Sequence, residues 1–239
     1  MAHASRRRSA SPTDQTRTQA SGEETKEGCN DRTKAGAENG SERVERSQRV
    51  IINELMYHPA SNNDLEEYLE VVNRSGIPVD VGGWQIDDGV QFAFPDVSIL
   101  HNDYLVVAAS VDAFQAKYPG ITNVVGGWTG RLSNGGERVR VVDDLGRTVD
   151  EVTYADQGDW SQRAEGPLDA GHTGWVWLDD HDGGGHSPEL ANADLTNEEG
   201  QHWRASAVLE GTPGVENSVR SDERRVSKSC RTRLSSFHL

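Results

Sequence analysis

Between residues 50 and 154, short runs of Val, Ile, Leu and aromatic side chains alternate with clusters of Gly, Asp, Asn and Pro. Apolar runs this short, closed off by turn formers, predict β-strands. They fall at residues 50–57, 68–73, 84–86, 91–94, 104–109, 138–142 and 149–154. In Tyr68-Leu69-Glu70-Val71-Val72 both faces of the strand carry apolar side chains, which fits a layered packing better than an exposed hairpin. Asp144-Leu145-Gly146 separates two of the runs, and its glycine supplies the positive φ of a tight hairpin. One segment has a different period. Val111, Phe114 and Tyr118 share a helical face, and Pro119-Gly120 ends it, so a single short connecting helix is predicted over residues 111–118. The tripeptide Gly-Gly-Trp occurs at residues 82–84 and 126–128, but the flanks do not match and no internal repeat follows.

Composition limits where this pattern can fold. Residues 1–49 contain no Phe, Trp, Tyr, Ile or Leu, whereas 14 of the 15 aromatic residues lie between Tyr57 and Trp203. A stretch without large apolar side chains cannot offset its conformational entropy. Three regions are therefore expected: a disordered polar extension at 1–49, a folded module at 50–219 and a basic disordered tail at 220–239. Both cysteines, Cys29 and Cys230, lie in the flanks. The module is thus held by its core and not by disulfides or Cys-ligated zinc.

Charge divides the same way. The net charge of -15 conceals 29 acidic against 8 basic residues in 50–219, while both flanks are mildly basic. Nucleic-acid affinity depends on cations displacing counterions from phosphate, so this acidity weighs against binding to a duplex. The longest apolar run, residues 104–109, is far below the ~20 residues of a membrane-spanning helix. No membrane insertion is expected. Arg6, Arg7 and Arg8 are followed by polar residues and not by the apolar stretch of an export signal, so the sequence as given carries no signal peptide.

Few residues invite a chemical role. Asp179, Asp180 and Asp182 with Gly183 resemble half of a calcium loop, without the downstream Glu that would complete it. His181 and His186 bracket the same glycine-rich stretch, at no spacing known for a transition metal. Gly185-His186-Ser187-Pro188-Glu189 begins like a nucleophile elbow but has Glu where the second glycine belongs, which leaves Ser187 a structural role. No P-loop or dinucleotide motif occurs. The sequence therefore assigns no catalytic residue, no cofactor and no metal ligand. Trp175-Val176-Trp177 would place two rings on one side of a strand, a platform for a sugar or peptide. Packing in the core or at its rim is the commoner fate of tryptophan in a sandwich, and Trp84 and Trp203 are assigned to the core.

The order of the motifs resembles the lamin-tail domain family in its bacterial secreted and surface-protein form. Val50-Ile51-Ile52-Asn53-Glu54-Leu55-Met56-Tyr57-His58-Pro59 is similar to the family's opening strand and Tyr-x-Pro turn. Glu67-Tyr68-Leu69-Glu70-Val71-Val72-Asn73 resembles its second strand, and Pro78 to Trp84 the turn that presents its tryptophan. Phe92-Ala93-Phe94-Pro95, Tyr104 to Ala108, Leu132 to Glu137 and Val149 to Tyr154 follow in order. Trp203-Arg204-Ala205-Ser206, Gly211-Thr212-Pro213-Gly214 and Asn217 look like its ending.

The resemblance covers roughly residues 50–218 and implies an all-β, immunoglobulin-like β-sandwich without catalytic residues. It implies a binding or adhesion module with a protein or cell-surface partner and an extracellular or surface location. The alternative is an accessory domain or fragment of a larger secreted enzyme, a nuclease or spore-coat-type kinase protein. Pro188 stands where the family has an apolar residue. Because proline removes a ladder donor, an edge strand or bulge is expected there.

Overall fold

A computed structural model describes residues 49–220. The expectations for the two flanks and for Cys29 and Cys230 lie outside the described residues. What is described is an immunoglobulin-like sandwich of two sheets.

The larger sheet is built from β1 (Val50–Met56), β2 (Tyr68–Asn73), β7 (Tyr104–Ala108), β8 (Val124–Gly126), β13 (Pro188–Leu190) and β14 (Trp203–Ala205). Their spatial order is β14-β13-β1-β2-β7-β8, antiparallel except for the parallel pair β7 and β8. That parallel pair is joined by the one α-helix among the described residues, α1 (Val111–Lys117), which is capped by Ser110 accepting from the Ala113 amide at 3.3 Å. The smaller sheet has the order β10-β9-β4-β5, from β4 (Gln85–Asp88), β5 (Phe92–Ala93), β9 (Glu137–Val142) and β10 (Thr148–Tyr154). Two short ribbons complete the strands: β3 (Val79–Asp80) with β6 (Ser98–Ile99), and β11 (Gln162–Asp169) with β12 (His172–Leu178).

The predicted strands all form, with ends displaced by a residue or two, and Gly146 takes φ 73° in the turn between β9 and β10. The carboxylate of Asp143 fixes that turn by accepting the Leu145 and Arg147 amides, each at 2.9 Å. Periodicity did not reveal β3, β6 or β8, which are only two or three residues long, nor the hairpin β11–β12.

Two apolar layers hold the sheets. Ile52, Leu69, Val71, Leu105 and Val107 point from the larger sheet onto Ile86, Val139, Val141 and Val152 of the smaller one. Trp84 lies in this layer, and Trp203 stacks on Trp160 with 5.2 Å between ring centroids. On the opposite face of the larger sheet, Met56, Tyr68, Val106 and Ala108 pack against Phe114 of α1. Each fully buried side chain of this size stabilises the fold by roughly 1.5–3 kcal/mol before entropy is counted. The two-sided burial of β2 explains why its sequence has no polar face.

One expectation is overturned. Pro188 is neither on an edge strand nor in a bulge, because β13 lies between β1 and β14. Proline is accommodated as the first residue of the strand, opposite Ala205, and Glu189 is the residue that pairs with β1.

Candidate functional site

The pairing of β1 with β2 slips by one residue between Ile52 and Glu54, leaving Asn53 as the extra residue of a bulge. Ahead of the slip, Val50 and Ile52 face the main core; beyond it, Leu55 and Tyr57 do. Glu54 and Met56 are thereby turned to the outer face. The slip also brings Glu54 level with Glu70 on β2, and Glu54 is in turn level with Glu189 on β13. Three glutamates thus form a row across three adjacent strands, each fully buried.

A segment of chain at residues 210–219 lies over this row and supplies much of what the carboxylates require. Glu54 Oε1 accepts from Tyr68 Oη at 2.6 Å, Ser187 Oγ at 2.5 Å and the Thr212 amide at 2.9 Å. Glu70 accepts from Asn53 Nδ2 at 2.8 Å and from the Gly214 amide at 2.5 Å. Glu189 accepts from Thr212 Oγ1 at 2.7 Å, Ser218 Oγ at 2.8 Å and the Val219 amide at 3.0 Å. Asn53 Nδ2 reaches Asn217 Oδ1 at 2.7 Å, and Asn217 Nδ2 donates to the Leu190 carbonyl at 2.9 Å. Gly211, at φ 79°, passes so close that a Cβ there would collide with Glu54, Tyr68 and Ser187. The glycine and asparagine of the closing motif are therefore requirements of the strap that covers the row.

Charge in this row is costly. Burial, reinforced by Glu189, lifts Glu54 to about 7, and burial together with Glu54 holds Glu70 well above the carboxylate range. Glu54 Oε2 has no partner. Two more carboxylates are used in the same manner elsewhere. Asp150 of β10 accepts the Ile52 amide and Asn197 Nδ2, both at 2.6 Å, where β1 has no neighbouring strand to take that amide. Glu67 accepts the Leu132 amide at 2.8 Å and so pins the loop before β9. Burial raises Asp150 to about 7 and Glu67 to about 8.

The residues singled out in the 179–187 loop do not converge. Asp182 pairs with His58 at 2.5 Å, which raises that histidine's affinity for its proton. His181 is buried edge-on against Tyr57 with 6.0 Å between centroids, and burial lowers its pKa. His186 donates from Nδ1 to the Ser206 carbonyl at 2.7 Å. Ser187 donates to Glu54 and is fully buried, without a histidine partner. Among the described residues, no three His, Cys, Asp or Glu side chains come together as a metal would require.

Four tryptophans, Trp84, Trp128, Trp160 and Trp203, are buried. The other two differ sharply: Trp175 is 59% exposed and Trp177 61%, both on β12. All seven residues of β12 are exposed, as are the odd-numbered residues of β11. Arg163 lies 4.4 Å from the centre of the Trp175 ring, a cation–π contact. A polar cavity of about 380 Å³ opens elsewhere, beside Asn53, Arg74, Tyr104 and Arg220. Both its arginines are already paired, Arg74 with Asp194 at 3.3 Å and Arg220 with Glu216.

The strand positions of Glu54, Glu70 and Glu189 held the one sequence signal for the row. Each is an acidic residue inside an otherwise apolar run, where only a buried, hydrogen-bonded carboxylate fits.

What these features define is an immunoglobulin-like sandwich whose buried carboxylates serve its own architecture. Residues 43–156 match the family model of the Lamin Tail Domain, which supports the family indicated by the motifs. That domain is an immunoglobulin-like module and not a known enzyme family. The matched stretch includes Glu54, Glu67, Glu70 and Asp150, and ends before the tryptophan hairpin, β13 and the strap. No curated protein matches the chain.

Proposed function

We propose that residues 50–219 are a complete lamin-tail-type domain of the bacterial secreted or surface-protein kind, and that it acts by binding a protein or cell-surface partner. The exposed pair Trp175 and Trp177 on a projecting hairpin carries this reading. A chain that buries its four other tryptophans leaves these two in water, and aromatic anchors of this kind dominate contact surfaces. The absence of catalysis in this reading rests on the use made of its carboxylates: Glu54, Glu70, Glu189, Asp150 and Glu67 all accept backbone amides of the fold itself.

The test is binding of the labelled full chain to intact cells of the organism that encodes it, measured by flow cytometry. Saturable binding that falls about tenfold or more in a Trp175→Ser/Trp177→Ser chain is the expected result. Binding that is indifferent to both substitutions would remove the hairpin from the contact.

A further inference from the structure

We infer that the open edge of β12 pairs with β12 of a second copy of this chain, joining two hairpins into one four-stranded sheet. The inference rests on reading the hairpin as the contact element and names what it meets.

The first observation is an asymmetry between the two edges of the ribbon. β11 carries Arg163, Glu165, Pro167 and Asp169, and its pairing with β12 is irregular between Glu165 and Leu168. Charge, proline and irregularity are the features that keep a strand edge from pairing. β12 reads His-Thr-Gly-Trp-Val-Trp-Leu, with no Lys, Arg, Asp, Glu or Pro, and is exposed throughout. Among the described residues its single neighbour is β11. A two-stranded ribbon is marginally stable in water, and this one leaves its better edge unused.

The second observation is that the edge is complementary to itself. Trp175-Val176-Trp177 reads the same in both directions, so an antiparallel pairing centred on Val176 sets each tryptophan opposite the other tryptophan of the second copy. Aromatic cross-strand pairs are among the most favourable in sheets. Within the ribbon, Trp177 is level with Arg163, and Trp175 with Glu165. Each of the two aromatic rows across the joined sheet would then run from Arg163, through Trp177 and a tryptophan of the second copy, to Glu165 of that copy. Each row carries one cation and one anion and is neutral. An unrelated strand would have no reason to supply this order; a second copy supplies it by symmetry.

The association is expected to be weak, because two ribbons bury less than a standard interface and both copies are acidic. Sedimentation equilibrium of the full chain from about 5 to 500 µM should show a monomer–dimer equilibrium. It should tighten when salt is raised from about 0.15 to 0.5 M, as repulsion between like-charged copies is screened. Val176→Lys sets two ammonium groups opposite each other on the far face while leaving both tryptophans in place. It should weaken the dimer at least tenfold without altering the melting temperature. Val176→Cys, in a chain with Cys29→Ser and Cys230→Ser, should oxidise to a covalent dimer, since residue 176 meets itself.

A monomer at every concentration and both salts, or a dimer indifferent to Val176→Lys, overturns the pairing. If the chain is monomeric and Trp175→Ser/Trp177→Ser still abolishes binding to cells, self-pairing alone fails. If neither dimerisation nor cell binding responds, the reading of the hairpin as a contact element fails with it.

Discussion

Glu54 and Glu70 stand directly opposite each other on adjacent antiparallel strands, both fully buried, and among the described residues neither makes an ion pair. Two ionised carboxylates so placed would repel in a low-dielectric interior. The row is therefore stable with a proton in it, and the pH response of the whole domain follows.

Stability should be greatest on the acid side of neutrality. Glu54 at about 7, Asp150 at about 7 and Glu67 at about 8 all hold protons more tightly folded than unfolded. Their contribution is complete below the unfolded values near 4 and is lost progressively as pH rises from there through the folded values of 7 to 8, on the order of 1 kcal/mol per pH unit for each group. His181 has the opposite sign: its folded pKa is lowered, so it destabilises the fold as pH drops below its unfolded value. Melting curves from pH 4 to 9 should show a maximum followed by a fall on the alkaline side. Glu54→Gln, which keeps an acceptor but cannot ionise, should flatten that fall; an unchanged slope would remove Glu54 as a source.

The strap should matter more than its length suggests. A chain cut after Leu209 loses at once the Thr212, Gly214 and Val219 amides that Glu54, Glu70 and Glu189 accept, and orphaned buried polar groups cost about 1–3 kcal/mol each. Urea melts should show it unfolded or severely weakened. Residues 50–219 alone are expected to melt close to the full chain, and a large difference would assign a flank a part in the fold.

Two tryptophans give an internal contrast. Trp84→Ala should cost on the order of 3–5 kcal/mol, because the ring is 6% exposed and lies in the main core. Trp175→Ala should stay within about 0.5 kcal/mol in the monomer. Equal effects in denaturant melts would contradict the placement of one of them.

Millimolar calcium is expected to leave the melting temperature unchanged, since Asp182 is engaged by His58 and, among the described residues, no metal-holding group of three ligands forms. A rise that disappears in Asp182→Asn would establish a site at this loop.

Much of the fold was legible because the strands of the main core are long enough to show their apolar runs. Residues 104–108 and 137–142 needed nothing beyond β-propensity and the turns around them. The hairpin was not legible, since Gly166, Pro167, Gly171 and Gly174 break its pattern and β12, exposed throughout, has no alternation of buried and exposed positions to display. Pro188 misled for another reason. The proline indicates a missing donor, but whether that position needs a donor depends on β1 and β14, which lie far away in sequence. The carboxylate row could be glimpsed only as acidic residues in apolar runs. Its alignment depends on the bulge at Asn53, and a one-residue slip in register is invisible until the partner strand is known.

The strap also fixes the order in which the protein can be finished during synthesis. Glu54 leaves the ribosome early, whereas Thr212, its backbone donor, follows 158 residues later. At ordinary elongation rates that is an interval of roughly 10–30 s. Throughout it the glutamates of β1 and β2 lack the Thr212 and Gly214 amides that they accept in the finished fold. Closing the row that burdens the finished core at alkaline pH is therefore among the last steps that synthesis of the described residues allows.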